Sequence, residues 1–211
     1  MKAKRIIVIR HAESEEDISP NLNGERIDKE ISITRNGKIQ ARNTVRRVLE
    51  RVCSYDSVRI YSSPSNRAVE TAQIIESGLR WVKADLLIEP RIRNLNWGNT
   101  APENIRHVEK ERYEAGVLYY KFSGGDNSAT FVGLIGCFIS EILNHDNESP
   151  EALVIVTHGF ALRIIAKFLL QMSDEDFRWI KNPANCYIAD FTVLESGENV
   201  IETPLEKREP T

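Results

Sequence analysis

The chain has 211 residues, 41% hydrophobic and 28% charged, with a formal net charge of −3. That length suits one globular α/β domain with a sizeable core, and the slightly acidic balance excludes a bulk basic field for nucleic acid or an anionic membrane. Cys53, Cys137 and Cys186 lack metal-ligand spacing and leave one over in any disulfide scheme, and no apolar run is long enough to span a bilayer; a soluble, cytoplasmic protein is expected, with nuclear residence left open.

Ile6-Ile7-Val8-Ile9 has no polar alternation. It reads as a strand buried on both faces, as in a parallel sheet, and it ends in Arg10-His11. In open α/β sheets ligands bind beyond the carboxyl ends of the strands. Residues 15–29 are polar and acidic and read as a loop over that end. Thr34 is a plausible N-cap for a helix carrying Ile39, Val45, Val48, Leu49 and Val52 at roughly helical spacing. A second strand, Val58-Arg59-Ile60-Tyr61-Ser62-Ser63, ends in hydroxyls, and Pro64 fits the start of the helix that carries Arg67 in its first turn. There the backbone N–H groups and the helix dipole favour anions.

Residues 84–88 form a short third strand, 90–100 a loop and 102–120 a helix. Ser128 caps a helix through Leu143 that is apolar on more than one face, so it is buried. A loop at 145–150 precedes Ala152-Leu153-Val154-Ile155-Val156-Thr157, a second fully apolar strand ending in a histidine, His158, and then Gly159 opens a helix. Ser173 caps a short helix through Trp179, and residues 186–194 form a last strand. A single domain covering 1–195 is expected, with a loose, charged tail at 196–211.

A histidine at one strand end is, taken singly, more often structural than catalytic. Two histidines and two arginines at three strand ends converge if those strands are neighbours. An unprotonated imidazole can attack phosphorus, and arginine suits the negative oxygens because its fork matches them and it stays charged. A zinc site on His11 and His158 is the weaker rival, lacking acidic ligands and facing two repelling cations.

Arg10-His11-Ala12-Glu13-Ser14, Ser62-Ser63-Pro64-Ser65-Asn66-Arg67 and Val156-Thr157-His158-Gly159 together resemble the signature segments of the histidine phosphatase superfamily. The resemblance runs from Ile6 to about Val193. It implies a phosphoglycerate mutase-like fold: three α/β/α layers, a mostly parallel sheet and one antiparallel edge strand. It implies His11 as the phosphorylated nucleophile, His158 as the second catalytic histidine, and Arg10, Arg67, Asp17 and Gly159 around the phosphate. No metal or cofactor is implied.

The middle segment is similar to small phosphatase-like members and lacks the longer insertion of the glycolytic mutases. Arg91-Ile92-Arg93-Asn94 places an amide where the family carries its proton-donating carboxylate, and Asp17 replaces an asparagine. Gly124-Gly125-Asp126-Asn127 replaces a Gly-Glu-Ser turn. The expectation is a metal-independent phosphomonoesterase acting on a phosphorylated small molecule or phosphoprotein, with homodimer formation left open. The alternative is a weak or inactive homologue that binds phosphorylated ligands or a protein partner. If Asn94 disables acid catalysis, Glu13, Glu89, Glu103 or Asp126 are the candidate substitutes.

Overall fold

A computed structural model describes residues 3–19, 30–98, 100–144, 150–194, 196 and 198–208. Six strands form one sheet in the order β3-β2-β4-β1-β5-β6. These are β1 (Arg5–Arg10), β2 (Ser57–Ser62), β3 (Lys83–Ile88), β4 (Ala152–Thr157), β5 (Ile188–Val193) and β6 (Asn199–Ile201). The first four run parallel, β5 runs antiparallel to β1, and β6 runs antiparallel to β5.

The uninterrupted apolar runs of β1 and β4 have the cause expected of them, since both faces of the sheet are covered. On one face, Ile6, Val8, Leu153 and Ile155 join Phe131, Ile135 and Phe138 of α5 (Ser128–Asn144) and Leu162 and Ile165 of α6 (Gly159–Leu169). On the other, Ile7, Ile9, Val154 and Val156 meet Val48 and Val52 of α2 (Arg35–Val52) and Ala68, Ala72 and Ile75 of α3 (Asn66–Gly78). Burying each large side chain here contributes about 1.5–3 kcal/mol. The two clusters make three layers, α/β/α. A Cβ on Gly78 would lie 2.2 Å from Val45 Cγ1, so glycine lets α2 and α3 pack closely.

Four expectations need correction. Residues 15–18 are not loop but a helical turn, α1 (Glu15–Ile18), because Asp17 closes a capping box with Ser14. Residues 20–29 of that expected loop, and 145–149 of the later one, lie outside the described residues. The helix expected over 102–120 is α4 (Ile105–Ala115); Gly116, at φ 90°, ends it in a conformation that L side chains rarely adopt. The one strand that runs against the others, β5, is not the edge, because β6 pairs outside it. The added strand, β6, comes from the segment expected to be a loose tail: it pairs with β5, Ile201 packs on the core, and Lys207 bridges to Ile180. Three residues, Asn199-Val200-Ile201, are too few to show a strand period in sequence. A last helix, α7 (Asp174–Trp179), is capped by Ser173, whose hydroxyl accepts from Asp176 N. Among the described residues no helix is long and apolar enough to cross a membrane.

Candidate active site

The sheet register builds the site. Arg10 pairs with Thr157 across β1 and β4, and the next amide, His11 N, donates to Thr157 O at 2.8 Å. On the other side of β4, Ser63 N donates to Val156 O at 2.9 Å. The carboxyl ends of β1, β4 and β2 therefore finish side by side and bring His11, His158 and the Ser63–Arg67 turn together. The strand order reverses direction here, which is where open α/β sheets form their crevice.

Each group is locked in place. Thr71 Oγ1 donates to Arg67 O and accepts from Ala12 N at 3.0 Å, tying the first turn of α3 to the loop after β1. Arg67 is only 1% exposed. The rings of His11 and His158 lie 5.1 Å apart at 60°. Arg67 Nε donates to His11 Nε2 at 3.3 Å. A guanidinium can only donate, so Nε2 carries a lone pair and Nδ1 carries the proton, which it gives to Ala12 O at 2.9 Å. The same logic applies to His158: Arg67 Nη2 lies 3.5 Å from Nδ1, and Nε2–H donates to Ser63 Oγ at 2.8 Å.

Burial first, then the Arg67 and Arg10 charges, pushes the His11 pKa down to about 3. Burial, with Arg67, His11 and Arg10 behind it, also holds His158 well below the usual histidine value. Both rings are neutral at pH 7. Arg10 donates from Nη1 to Pro183 O and from Nη2 to Asp17 Oδ1, both at 2.7 Å, and its buried Nε has no hydrogen-bond partner.

Asp17 lines the cleft but is not placed as a phosphate ligand. Oδ1 takes Arg10, and Oδ2 accepts from Ser14 N, Ser14 Oγ and Asn185 Nδ2. Burial pushes its pKa up, but His11, the Ser14 bonds and Arg10 outweigh that and hold it below the ordinary aspartate value. An ionised, acceptor-only carboxylate has no proton to share with a phosphate, so Asp17 orients Arg10 instead. Gly159 lines the cleft at the first position of α6, where the backbone N–H groups are unpaired by the helix itself. A Cβ on Gly159 would lie 2.0 Å from Asn182 Oδ1, so glycine permits that approach.

Asn94 also lines the cleft. Its loop is clamped by Arg93, which makes two bonds to Asp126 at 2.6 and 2.8 Å and a third to Asn94 O. The four carboxylates suggested by sequence lie elsewhere. Glu13 accepts from Thr34 Oγ1 and Asn36 Nδ2, Glu89 is paired with Arg91, Asp126 with Arg93, and Glu103 is outside the cleft lining. Those that do line it, besides Asp17, are Glu16 and Glu109. Glu16 Oε2 sits 3.2 Å from Arg67 Nη2. Sequence reasoning missed both, together with Arg112, Arg163, Asn182 and Arg208 of the same wall. The cleft is about 230 Å³, small enough to favour a compact ligand. Among the described residues no group of three or more His, Cys, Asp or Glu side chains is placed to hold a metal.

The family described as the histidine phosphatase superfamily (branch 1) matches residues 6–203. Phosphoglycerate mutase-like protein AT74 of Arabidopsis thaliana is 30% identical over 210 residues, covering 92% of this chain and 66% of that protein, so the chain spans about two thirds of its length. A broad-specificity phosphatase of Saccharomyces cerevisiae is 24% identical over 198 residues, covering 93% of this chain and 83% of that protein. Among solved structures, the mycobacterial glucosyl-3-phosphoglycerate phosphatase in complex with VO3 superposes with a TM-score of 0.75 at 15% identity, covering 95% of this chain and 98% of that one. At that identity the likeness speaks for the fold alone.

Proposed function

The chain belongs to the histidine phosphatase superfamily, and on that premise we propose that it is a metal-independent phosphomonoesterase working through a phosphohistidine on His11. The observation that carries this reading is the tautomer of His11: Nδ1–H is tied to Ala12 O, and a lone pair on Nε2 faces the Arg67 guanidinium. A neutral, oriented imidazole is a nucleophile ready for phosphorus.

A phosphate group in the cup replaces the Arg67–His11 and Arg67–Glu16 contacts with charge-assisted bonds to its oxygens. Arg10 and the first amides of α6 add donors. The dianion offsets the two guanidiniums, raises the His158 pKa and lets that ring donate to a phosphoryl oxygen. His11 Nε2 attacks phosphorus, the ester P–O bond breaks, and the leaving oxygen takes a proton. Asn94 has none to give. The donor is a cleft carboxyl, Glu16 or Glu109. The resulting carboxylate then takes a proton from water, water attacks phosphorus, the N–P bond breaks, and phosphate leaves with His11 restored.

Hydrolysis of an aryl phosphate by the wild type and His11→Ala tests this. Loss of turnover in the variant supports the reading, and equal activity defeats it. The pairs Arg67–Glu16 and Arg10–Asp17 favour a second reading, because protein carboxylates already occupy both guanidiniums. In that reading the protein binds phosphorylated ligands without turning them over, as calorimetric binding of phosphate with no hydrolysis of any monoester would show.

A further inference from the structure

We propose that Arg112, Arg163 and Arg208 form a second anion subsite in the cleft, which selects phosphomonoesters carrying a further carboxylate or phosphate group. The proposal rests on the phosphatase reading and names the substrate class that it serves.

The three come from separate parts of the chain, α4, α6 and the segment after β6, and all line the cleft that holds the histidines. Arg112 is 7% exposed and Arg163 3%. None of the three forms an ion pair among the described residues. Among the described residues the buried Nε and Nη2 of Arg112 and Nε of Arg163 have no hydrogen-bond partner; Arg163 Nη2 donates to Phe177 O at 3.3 Å, and the other neighbour of its guanidinium is the neutral Tyr113 hydroxyl. The other fully buried arginine, Arg67, does have a carboxylate beside it, Glu16 at 3.2 Å.

A buried charge without a partner is costly, and folds rarely keep one that serves no purpose. Aromatic faces meet part of the cost. The Arg112 guanidinium lies 4.1 Å from the Phe160 ring centre, Arg163 lies 4.6 Å from that of Phe177, and Arg208 lies 4.7 Å from that of Tyr113. Those rings fix the guanidiniums without neutralising them. Burial, then the charge of Arg163, pushes the Arg112 pKa down to about 10 against the smaller upward pulls of Tyr113 and Glu109. Burial also brings Arg163 to about 10. Both remain cationic at pH 7, crowded and short of negative charge. Glu109, one turn before Arg112 on α4, is the carboxylate in this wall, and it makes no ion pair with them. An anionic group on the substrate's leaving portion supplies the missing charge. Inorganic phosphate held in the cup has no such group to offer.

The test compares matched substrates. Glycerol 3-phosphate and 3-phosphoglycerate differ by a carboxylate; fructose 6-phosphate and fructose 1,6-bisphosphate differ by a phosphate. In the wild type, kcat/KM favours the member with the extra anion by about tenfold or more in at least one pair, and which pair responds identifies the anion. Arg208→Gln, at an exposed position, cuts that ratio at least fivefold, and Arg112→Gln cuts it further. Calorimetric Kd ratios for the same pairs read the subsite even without turnover. Ratios near one in the wild type, or ratios unchanged by Arg208→Gln, overturn the subsite. Absence of turnover with a Kd ratio that Arg208→Gln still reduces overturns only the phosphatase reading.

Discussion

Acid should unfold this protein in a way that its two buried histidines dictate. His11 has an ordinary value of 6.5 in the unfolded chain and about 3 when folded. Below pH 6.5 the unfolded state binds the proton and the folded state does not, so stability is fully present above 6.5 and is lost as pH falls. At pH 5 this amounts to about 2 kcal/mol for His11. His158, whose shift has the same sign and largely the same causes, adds to this loss. Urea unfolding at pH 7.5, 6 and 5, in a buffer without binding anions, measures the slope. The double variant His11→Asn, His158→Asn removes both imidazoles, so its loss between pH 7.5 and 5 should be smaller by at least about 2 kcal/mol. Added phosphate should restore the wild type most at low pH, because it favours the protonated rings. Parallel pH profiles for wild type and variant would refute the claim that the rings are held neutral.

Other outcomes follow from single contacts. Asp190, 1% exposed, accepts from Arg5 and Arg51, and Asp190→Ala should cost about 3 kcal/mol in chemical denaturation, since it strands two guanidiniums. Asn94→Glu should leave kcat on alkyl and aryl phosphates nearly unchanged, because a cleft carboxyl already supplies the proton; a gain of about tenfold or more on the alkyl ester alone would show that none does. The double variant Glu16→Gln, Glu109→Gln should slow alkyl ester hydrolysis by about 10²–10⁴-fold and spare the aryl ester; equal losses on both would remove these residues as the acid.

The strand ends were the legible part of this chain. Apolar runs without alternation imply two covered faces, and Arg10-His11 and Thr157-His158 stand where such strands deliver their ligands. The register that joins them, Arg10 against Thr157, is a long-range pairing that no local pattern encodes. For the same reason Glu16 and Glu109 stayed hidden, since their place in the cleft depends on how α1 and α4 pack. Arg163 did leave a signal: it is a cation inside Phe160-Ala161-Leu162-Arg163-Ile164-Ile165-Ala166, a run otherwise wholly apolar. A charge in such a run is either unfavourable or functional. Asp17 misled because its position suggested phosphate, whereas its hydrogen bonds run to Arg10, Ser14 and Asn185.

Rapid quenching during turnover of an aryl phosphate, followed by mass spectrometry of the digested chain, addresses the nucleophile itself. A phosphoryl group on the His11 imidazole, attached through Nε2, formed and lost at rates that match turnover and missing from His11→Ala, is the result expected. Turnover with His11 unmodified, or with the phosphoryl group on His158, would contradict the account.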